Sequence, residues 1–155
     1  MPDESKKNPI LEATRIQARA VIPIVKALEA ELGKERAHAI VGRAIAQSYV
    51  GWRDKLGFTP NSHPRGGDDD KTPAFPVEHE VVEDSETTYG HNVTRCAFAD
   101  YFRSIGEPGI GALMTCGVDF AAEAHMRPDW EFTRTQTRMQ GAPFCDFRWR
   151  RKTPG

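Results

Sequence analysis

The chain has 155 residues, of which 39% are hydrophobic and 28% are charged, the ordinary balance of one globular domain. Its formal net charge of -1 argues against a protein that binds nucleic acid through a broad basic surface. No run of roughly 18 apolar residues occurs, so we expect no membrane span. Because the first residues lack the apolar core of a signal peptide, we expect a cytoplasmic protein, in which three cysteines stay free thiols.

Residues 9–56 are predicted to form a helical hairpin. Apolar side chains recur at helical spacing in a first stripe that consists of Val21, Ile24, Val25, Leu28 and Leu32. Gly33 is expected to end this helix, and Pro23 within the stripe predicts a kink or a restart. A second stripe consists of Ile40, Val41, Ala44, Ile45, Tyr49 and Trp52. Two amphipathic helices of this kind could also supply the interface of a homo-oligomer.

Residues 57–76 are predicted to form a long irregular connection. The segment contains four prolines and three glycines, which disfavour both helix and strand. Loops of this length are often functional. The three consecutive aspartates at 68–70 could bind a cation or could simply form a solvated acidic loop.

Residues 77–151 are predicted to form a ββααββ core, because the apolar period changes here from helical spacing to alternation and back. In chain order the predicted elements are a hairpin with a turn near 83–86, a short helix ending at Gly106, a longer helix closed before Pro128, and a hairpin joined by 140–143. Short turns imply antiparallel pairing. We therefore expect a single α+β domain over residues 1–155, in which the α-hairpin precedes an antiparallel sheet of about four strands covered by helices.

The three cysteines lie on three predicted elements. Each is beside a residue or a helix end that could make its thiol part of a functional site. Cys145 shares a strand face with two aromatic residues, where it could be a packing residue or part of a site. Cys116 shares a helix face with Asp119, a carboxylate that needs a partner if it is buried. Cys96 begins a helix, whose positive end would lower the pKa of its thiol. A buried structural thiol is the alternative for Cys96.

The thiols could also converge to hold a metal ion such as zinc. The candidate ligands are Cys96, Cys116, Cys145 and His125. The chain lacks the closely spaced cysteine pair that typical zinc sites contain. The position of His125 near a helix end also suits a histidine that interacts with the helix dipole.

Several ordered motifs in the second half of the chain resemble the L-2-amino-thiazoline-4-carboxylic acid hydrolase family. The similar segments are 92–96, 106–111, 116–119, 134–137, 139–141 and 145–148. The two N-terminal helices also look like the opening of this family. The resemblance therefore covers most of the chain except the first residues and the 57–76 connection.

The resemblance implies hydrolytic opening of a small cyclic amidine to N-carbamoyl-L-cysteine, with a small heterocyclic molecule as the partner. Such chemistry needs a base or nucleophile, a proton donor and a cation for the substrate carboxylate. On this basis Asp119 is the candidate base, and Cys96 and Cys116 are candidate nucleophiles or metal ligands. The candidate substrate-binding residues are Arg95, Arg134 and Asn92.

Two other interpretations remain open at this point. The segment 140–149 is similar to the end of the vinyl-reductase-like ligand-binding domains, which bind small molecules or metals through cysteine. That similarity favours a sensor without turnover. In the remaining interpretation the three thiols only pack.

Overall fold

The computed structural model describes residues 8–57, 59–66 and 75–155, so the aspartates at 68–70 lie outside the described residues. The helices are α1 Pro9–Leu32, α2 Lys34–Leu56, α3 Ala97–Ser104, α4 Pro108–Gly111 and α5 Val118–Met126. The strands are β1 Val77–Asp84, β2 Thr88–Cys96, β3 Trp130–Thr133 and β4 Cys145–Arg151. The predicted α+β class is confirmed, and so is the N-terminal helical hairpin.

The ends of α1 follow local chemistry. The Asn8 side chain accepts hydrogen bonds from the backbone N–H groups two and three residues later, at 3.0 and 3.1 Å, and Pro9 occupies the first helical position. Gly33 ends the helix with a φ of 81°, which favours glycine. The helix continues through Pro23, so this proline does not mark a restart. No described helix has the length and apolar character that crossing a bilayer requires.

The four strands form one antiparallel sheet in the order β1-β2-β4-β3. The alternation predicted for β4 is confirmed, because each of its apolar residues lies opposite a residue of β2 on the same side. We call this side the inner face, and its central residues are Tyr89, His91, Val93, Cys145, Phe147 and Trp149. Helix α5 packs on it: the Trp149 indole donates a hydrogen bond of 2.9 Å to Glu123.

A β-bulge at Thr94 sets the direction of the end of β2. His79 pairs with Val93 and Glu78 pairs with Arg95, so Thr94 has no partner in β1. The extra residue reverses the alternation. Cys96 consequently joins Val93 on the inner face, where it packs against the core of α1 and α3.

Strand β1 is the exposed edge of the sheet. All of its residues after Val77 are exposed, and its pairing with β2 is irregular at two points. Within the described residues it pairs on one side only. Val81, which pairs with His91 on the inner face, is 54% exposed. The inner face is therefore open to solvent along β1.

The second predicted hairpin is correct in pairing and wrong in the length of its first strand. β3 ends at Thr133, and residues 134–144 connect it to β4. The Asp146 carboxylate accepts hydrogen bonds from the backbone N–H groups of Thr135 and Gln136 at 2.8 and 2.9 Å. These N–H groups are therefore satisfied outside the sheet, which allows the chain to leave the strand.

Among the described residues, the larger core cluster lies between α1, α3 and the connection that precedes β4. It consists of Leu11, Ala18, Phe98, Ala99, Phe102 and Met139. Gly111 lies so close to this cluster that a Cβ atom there would be 2.5 Å from Cγ of Phe102. The backbone of α4 thus approaches α3 at a distance that only glycine permits.

Candidate functional site

An ion pair between Asp119 and Arg134 lies where α5 meets the inner face. Nη1 of Arg134 donates to Oδ2 of Asp119 at 2.6 Å, and Nη2 donates to the backbone carbonyl of Cys116 at 3.0 Å. The guanidinium also lies over the rings of Phe120 and Phe147, at 5.1 and 5.4 Å from their centroids. The Arg134 side chain is 6% exposed and the Asp119 side chain is 33% exposed. The cation is thus fixed on several sides, and one third of the Asp119 side chain is exposed.

A wide helical turn precedes Asp119. The predicted single helix before Pro128 is interrupted by a π-helical segment, Ala112–Cys116, in which the Gly117 N–H donates to the Ala112 carbonyl at 2.7 Å. Such turns hold one extra residue and frequently occur at functional sites. The segment ends at Cys116, whose carbonyl binds Arg134.

Burial raises the pKa of Asp119 to about 6, because desolvation of the carboxylate outweighs the opposing effect of Arg134. The nearby Glu123 carboxylate raises it slightly further. Asp119 is therefore ionised at neutral pH and accepts a proton in mildly acidic solution. A carboxylate with this pKa has the properties of a general base.

The expected lowering of the Cys96 pKa is wrong. Burial raises the pKa of this thiol to about 11, and the backbone N–H groups of Phe98 and Ala99 at the start of α3 offset only part of that effect. Burial also raises the pKa values of Cys116 and Cys145. The three thiols are therefore protonated at neutral pH.

The three cysteines do approach one another. Cys96 and Cys116 pack against the same core cluster, and the charge of an ionised Cys116 or Cys145 would raise the pKa of Cys96. Cys145 also has a structural contact, because its sulfur accepts a hydrogen bond of 3.1 Å from the backbone N–H of Arg138. The three sulfur atoms therefore lie in one region of the structure.

No metal-binding group supports the zinc hypothesis within the part of the chain that the structure describes. There, no three His, Cys, Asp or Glu side chains are grouped so that they could hold a metal ion. His125, the fourth candidate ligand, forms a hydrogen bond of 2.6 Å with Asp54 of α2. It lies about 120° around α5 from Asp119.

Two of the three predicted substrate-binding residues lie on the other side of the sheet. Asn92 accepts a hydrogen bond of 2.9 Å from Arg148, and both residues alternate with those of the inner face. Arg95 is 74% exposed and its nearest carboxylate oxygen, from Glu78, is 3.5 Å away. Only Arg134 of the three contacts Asp119.

Sequence reasoning missed a second, half-buried ion pair one turn along α5. The Glu123 carboxylate accepts hydrogen bonds of 2.9 and 3.0 Å from Arg127, as well as the bond from Trp149, and both charged side chains are less than 15% exposed, at 14% and 12%. The spacing of four residues between Glu123 and Arg127 was the available signal.

Two surface depressions lie away from these groups. One of about 360 Å³ is lined by residues of α2 and α5. The other, of about 730 Å³, is lined by the β1–β2 turn and the C-terminal end of the chain. Neither lining includes Asp119, Arg134 or a cysteine.

Comparison with known proteins supports the resemblance seen in the motifs. No curated protein and no solved structure matches the chain. The model of one family, described as L-2-amino-thiazoline-4-carboxylic acid hydrolase, matches residues 13–149, which include most of α1, all of α2, nearly all of the sheet and the ion pair. The chain therefore belongs to the L-2-amino-thiazoline-4-carboxylic acid hydrolase family.

Proposed function

We propose that this protein hydrolyses a small heterocyclic amidine of the 2-amino-thiazoline-4-carboxylate type, with Asp119 as the general base. Membership of the family supports hydrolase activity, and the family description suggests the substrate class. The observation that carries the residue assignment is the pair of a partly exposed Asp119 and a buried Arg134. The raised pKa of Asp119 suits a carboxylate that takes a proton from water.

The reaction balances with water as the only co-reactant. Asp119 takes one proton from water while the oxygen bonds to the ring carbon between nitrogen and sulfur. The ring nitrogen gains a proton from solvent as the carbon–nitrogen double bond becomes a single bond. The carbon–sulfur bond then breaks, its electron pair leaves with sulfur, and Asp119 returns its proton to the thiolate. The added oxygen gives its remaining proton to solvent and becomes the carbonyl oxygen of N-carbamoyl-L-cysteine, so that the proton taken from solvent is returned.

Arg134 is a positioning residue in this scheme. Its two bonds, to Asp119 and to the Cys116 carbonyl, fix the carboxylate relative to the π-helical segment. Its packing over two aromatic rings leaves it little freedom. The guanidinium also keeps the carboxylate ionised against the effect of burial.

Water is the nucleophile in this proposal because the raised pKa values of the cysteines disfavour a thiolate at neutral pH. Cys116 nevertheless lies next to the ion pair, and its thiol hydrogen-bonds with the Thr115 hydroxyl at 3.5 Å. Cys116→Ser and Cys96→Ser are therefore expected to retain turnover. Loss of turnover in folded Cys116→Ser protein would instead assign the nucleophile to sulfur.

The direct test is turnover of L-2-amino-thiazoline-4-carboxylate, followed by mass spectrometry of the product and by release of a titratable thiol. In ¹⁸O-labelled water the label should enter the carbamoyl oxygen. Asp119→Asn should lower kcat by about 100-fold or more while the circular dichroism spectrum stays unchanged. Glu12→Gln, at an exposed carboxylate of α1, is the matched control and should keep full activity.

Two outcomes would contradict the proposal. Normal turnover by Asp119→Asn would show that this carboxylate is not the base. Tight binding of the heterocycle without any product would favour the non-catalytic sensor that the 140–149 segment resembles. Isothermal titration calorimetry beside the turnover assay separates these outcomes.

A further inference from the structure

His91 occupies an unusual position for a histidine, at the centre of the inner face. It pairs with Val81 of β1 and Phe147 of β4. Its ring stacks on Phe147 with centroids 5.0 Å apart and contacts the ring of His79 at 4.8 Å. Within the described residues, its Nδ1 atom is buried and has no hydrogen-bond partner. A buried polar atom without a partner is costly, so it requires an explanation.

The surroundings of the ring select one tautomer. An unpaired buried N–H group is rarer in proteins than an unpaired acceptor, so the proton of the neutral ring belongs on Nε2. Burial lowers the pKa of His91 to about 4, and the neighbouring His79 and Arg148 lower it as well. The ring is therefore neutral at neutral pH, and it has one N–H group to donate.

His91 and the ion pair share one aromatic ring. The Phe147 ring stacks on the His91 ring. The guanidinium of Arg134 lies over the same Phe147 ring, 5.4 Å from the centroid of that ring. Solvent reaches this region from the β1 side, where Val81 is 54% exposed, and beside the partly exposed Asp119. A small heterocycle that enters from the β1 side at the edge of Phe147 would therefore lie near His91 and near Arg134, the partner of Asp119.

We infer that His91 is a hydrogen-bond donor to the substrate, with its Nε2–H group directed at the heteroatom of the ring that gains electron density when water adds. This inference rests on the proposed hydrolase function. A neutral donor stabilises the developing charge without giving up its proton. The atom balance of the reaction is therefore unchanged, because the proton taken from water by Asp119 still goes to the leaving sulfur.

His91→Phe tests the inference, because it keeps an aromatic ring and removes both nitrogens. Loss of one preorganised donor should lower kcat by about 100-fold with little change in KM. The thermal midpoint should stay the same or rise, since an unpaired buried nitrogen is removed. A purely structural ring would not produce this combination. His91→Gln should recover part of the lost kcat, because its amide also carries an N–H donor.

His79→Phe is the matched control, since it replaces the neighbouring imidazole of the exposed edge strand. It should keep kcat near the wild-type value. An equal loss of kcat in His91→Phe and His79→Phe would overturn the assignment of a donor to His91. A wild-type kcat in His91→Phe would overturn it as well. If His91→Phe does not fold, His91→Leu replaces it as the variant without a donor, and a wild-type kcat in His91→Leu would overturn the assignment.

Nitrogen-15 NMR of the histidine rings gives a readout that does not depend on turnover. His91 should appear as the Nε2–H tautomer at pH 7, and its Nε2 resonance should move when L-2-amino-thiazoline-4-carboxylate is added. An Nδ1–H tautomer, or an unmoved resonance with bound ligand, would refute the inference. If the Nε2 resonance moves on ligand addition but no product forms, the assignment of the donor stands and the hydrolase proposal fails. Failure of the donor assignment can therefore be distinguished from failure of the proposed function.

Discussion

The stability of the protein should depend on the protonation of Asp119 in an unusual direction. An ordinary paired carboxylate stabilises a protein as pH rises. Here burial outweighs the pairing with Arg134, so the pKa in the folded protein, about 6, lies above the ordinary value of 3.8. Between these values the folded chain holds the proton more tightly than the unfolded chain does. Raising the pH from 4 to 7 therefore reduces the contribution of Asp119 to stability.

The size of this effect follows from the pKa. A rise from 3.8 to about 6 corresponds to about 3 kcal/mol for a fully buried group. Because one third of the Asp119 side chain is exposed, at 33%, solvent screening reduces the expected change to about 1–2 kcal/mol. Asp119→Asn carries no titrating proton and should lack this dependence. The wild type should thus lose about 1–2 kcal/mol relative to Asp119→Asn across this pH range.

Urea denaturation of both proteins at intervals between about pH 3 and pH 7 measures this difference and also covers the pH range of the control. Asp146→Asn is a control with the opposite sign. Burial opposes ionisation of Asp146, but the hydrogen bonds from Thr135 and Gln136 outweigh the effect of burial and lower the pKa of Asp146. The stability that Asp146 contributes is therefore lost as the pH falls below about 4. If the wild type gained stability relative to Asp119→Asn as the pH rises, Arg134 would dominate and the reasoning about burial would be refuted.

Three further changes test the packing, the capping and the thiols. Gly111→Ala would place a methyl group 2.5 Å from Cγ of Phe102 and should lower the free energy of unfolding by about 1–3 kcal/mol. Gly51→Ala, where the added methyl group would meet no neighbouring atom within 4 Å, should raise the free energy of unfolding by up to about 1 kcal/mol. Equal effects of the two substitutions would contradict the close contact at Gly111. Asn8→Ala should cost about 1 kcal/mol in urea denaturation, while Asn8→Asp should retain the cap. Iodoacetamide should alkylate Cys96 at pH 7.5 at least about 100-fold more slowly than in the urea-unfolded chain, and rapid labelling of the folded protein would contradict its raised pKa.

Local periodicity was sufficient to predict most of the fold. The spacing of apolar residues gave both N-terminal helices, and Gly33 marked their boundary. Alternation in β4 placed Cys145 on the face that the helices cover. The π-helical segment Ala112–Cys116 was not predicted, because the apolar spacing before Pro128 was interpreted as one continuous helix.

The site was harder to predict because it depends on tertiary structure. Asn92, Arg95 and Cys96 are neighbours in sequence, but the bulge at Thr94 directs Cys96 to the inner face, whereas Asn92 lies on the opposite face. The start of a helix was a sound reason to expect a lowered Cys96 pKa. Burial by residues distant in sequence instead raises the pKa of Cys96. Such burial cannot be predicted from the residues next to Cys96 in the sequence.

The open edge of β1 has a consequence for how the protein behaves in acid. Its outer backbone N–H and C=O groups, which have no partner strand within the described residues, could template another chain. Two valines near its end, Val81 and Val82, are 54% and 50% exposed. Four carboxylates in Val77–Asp84 oppose such association by charge repulsion. Protonation below about pH 4 removes that repulsion, so concentrated samples should then assemble through intermolecular strands and bind thioflavin T, beginning at this edge.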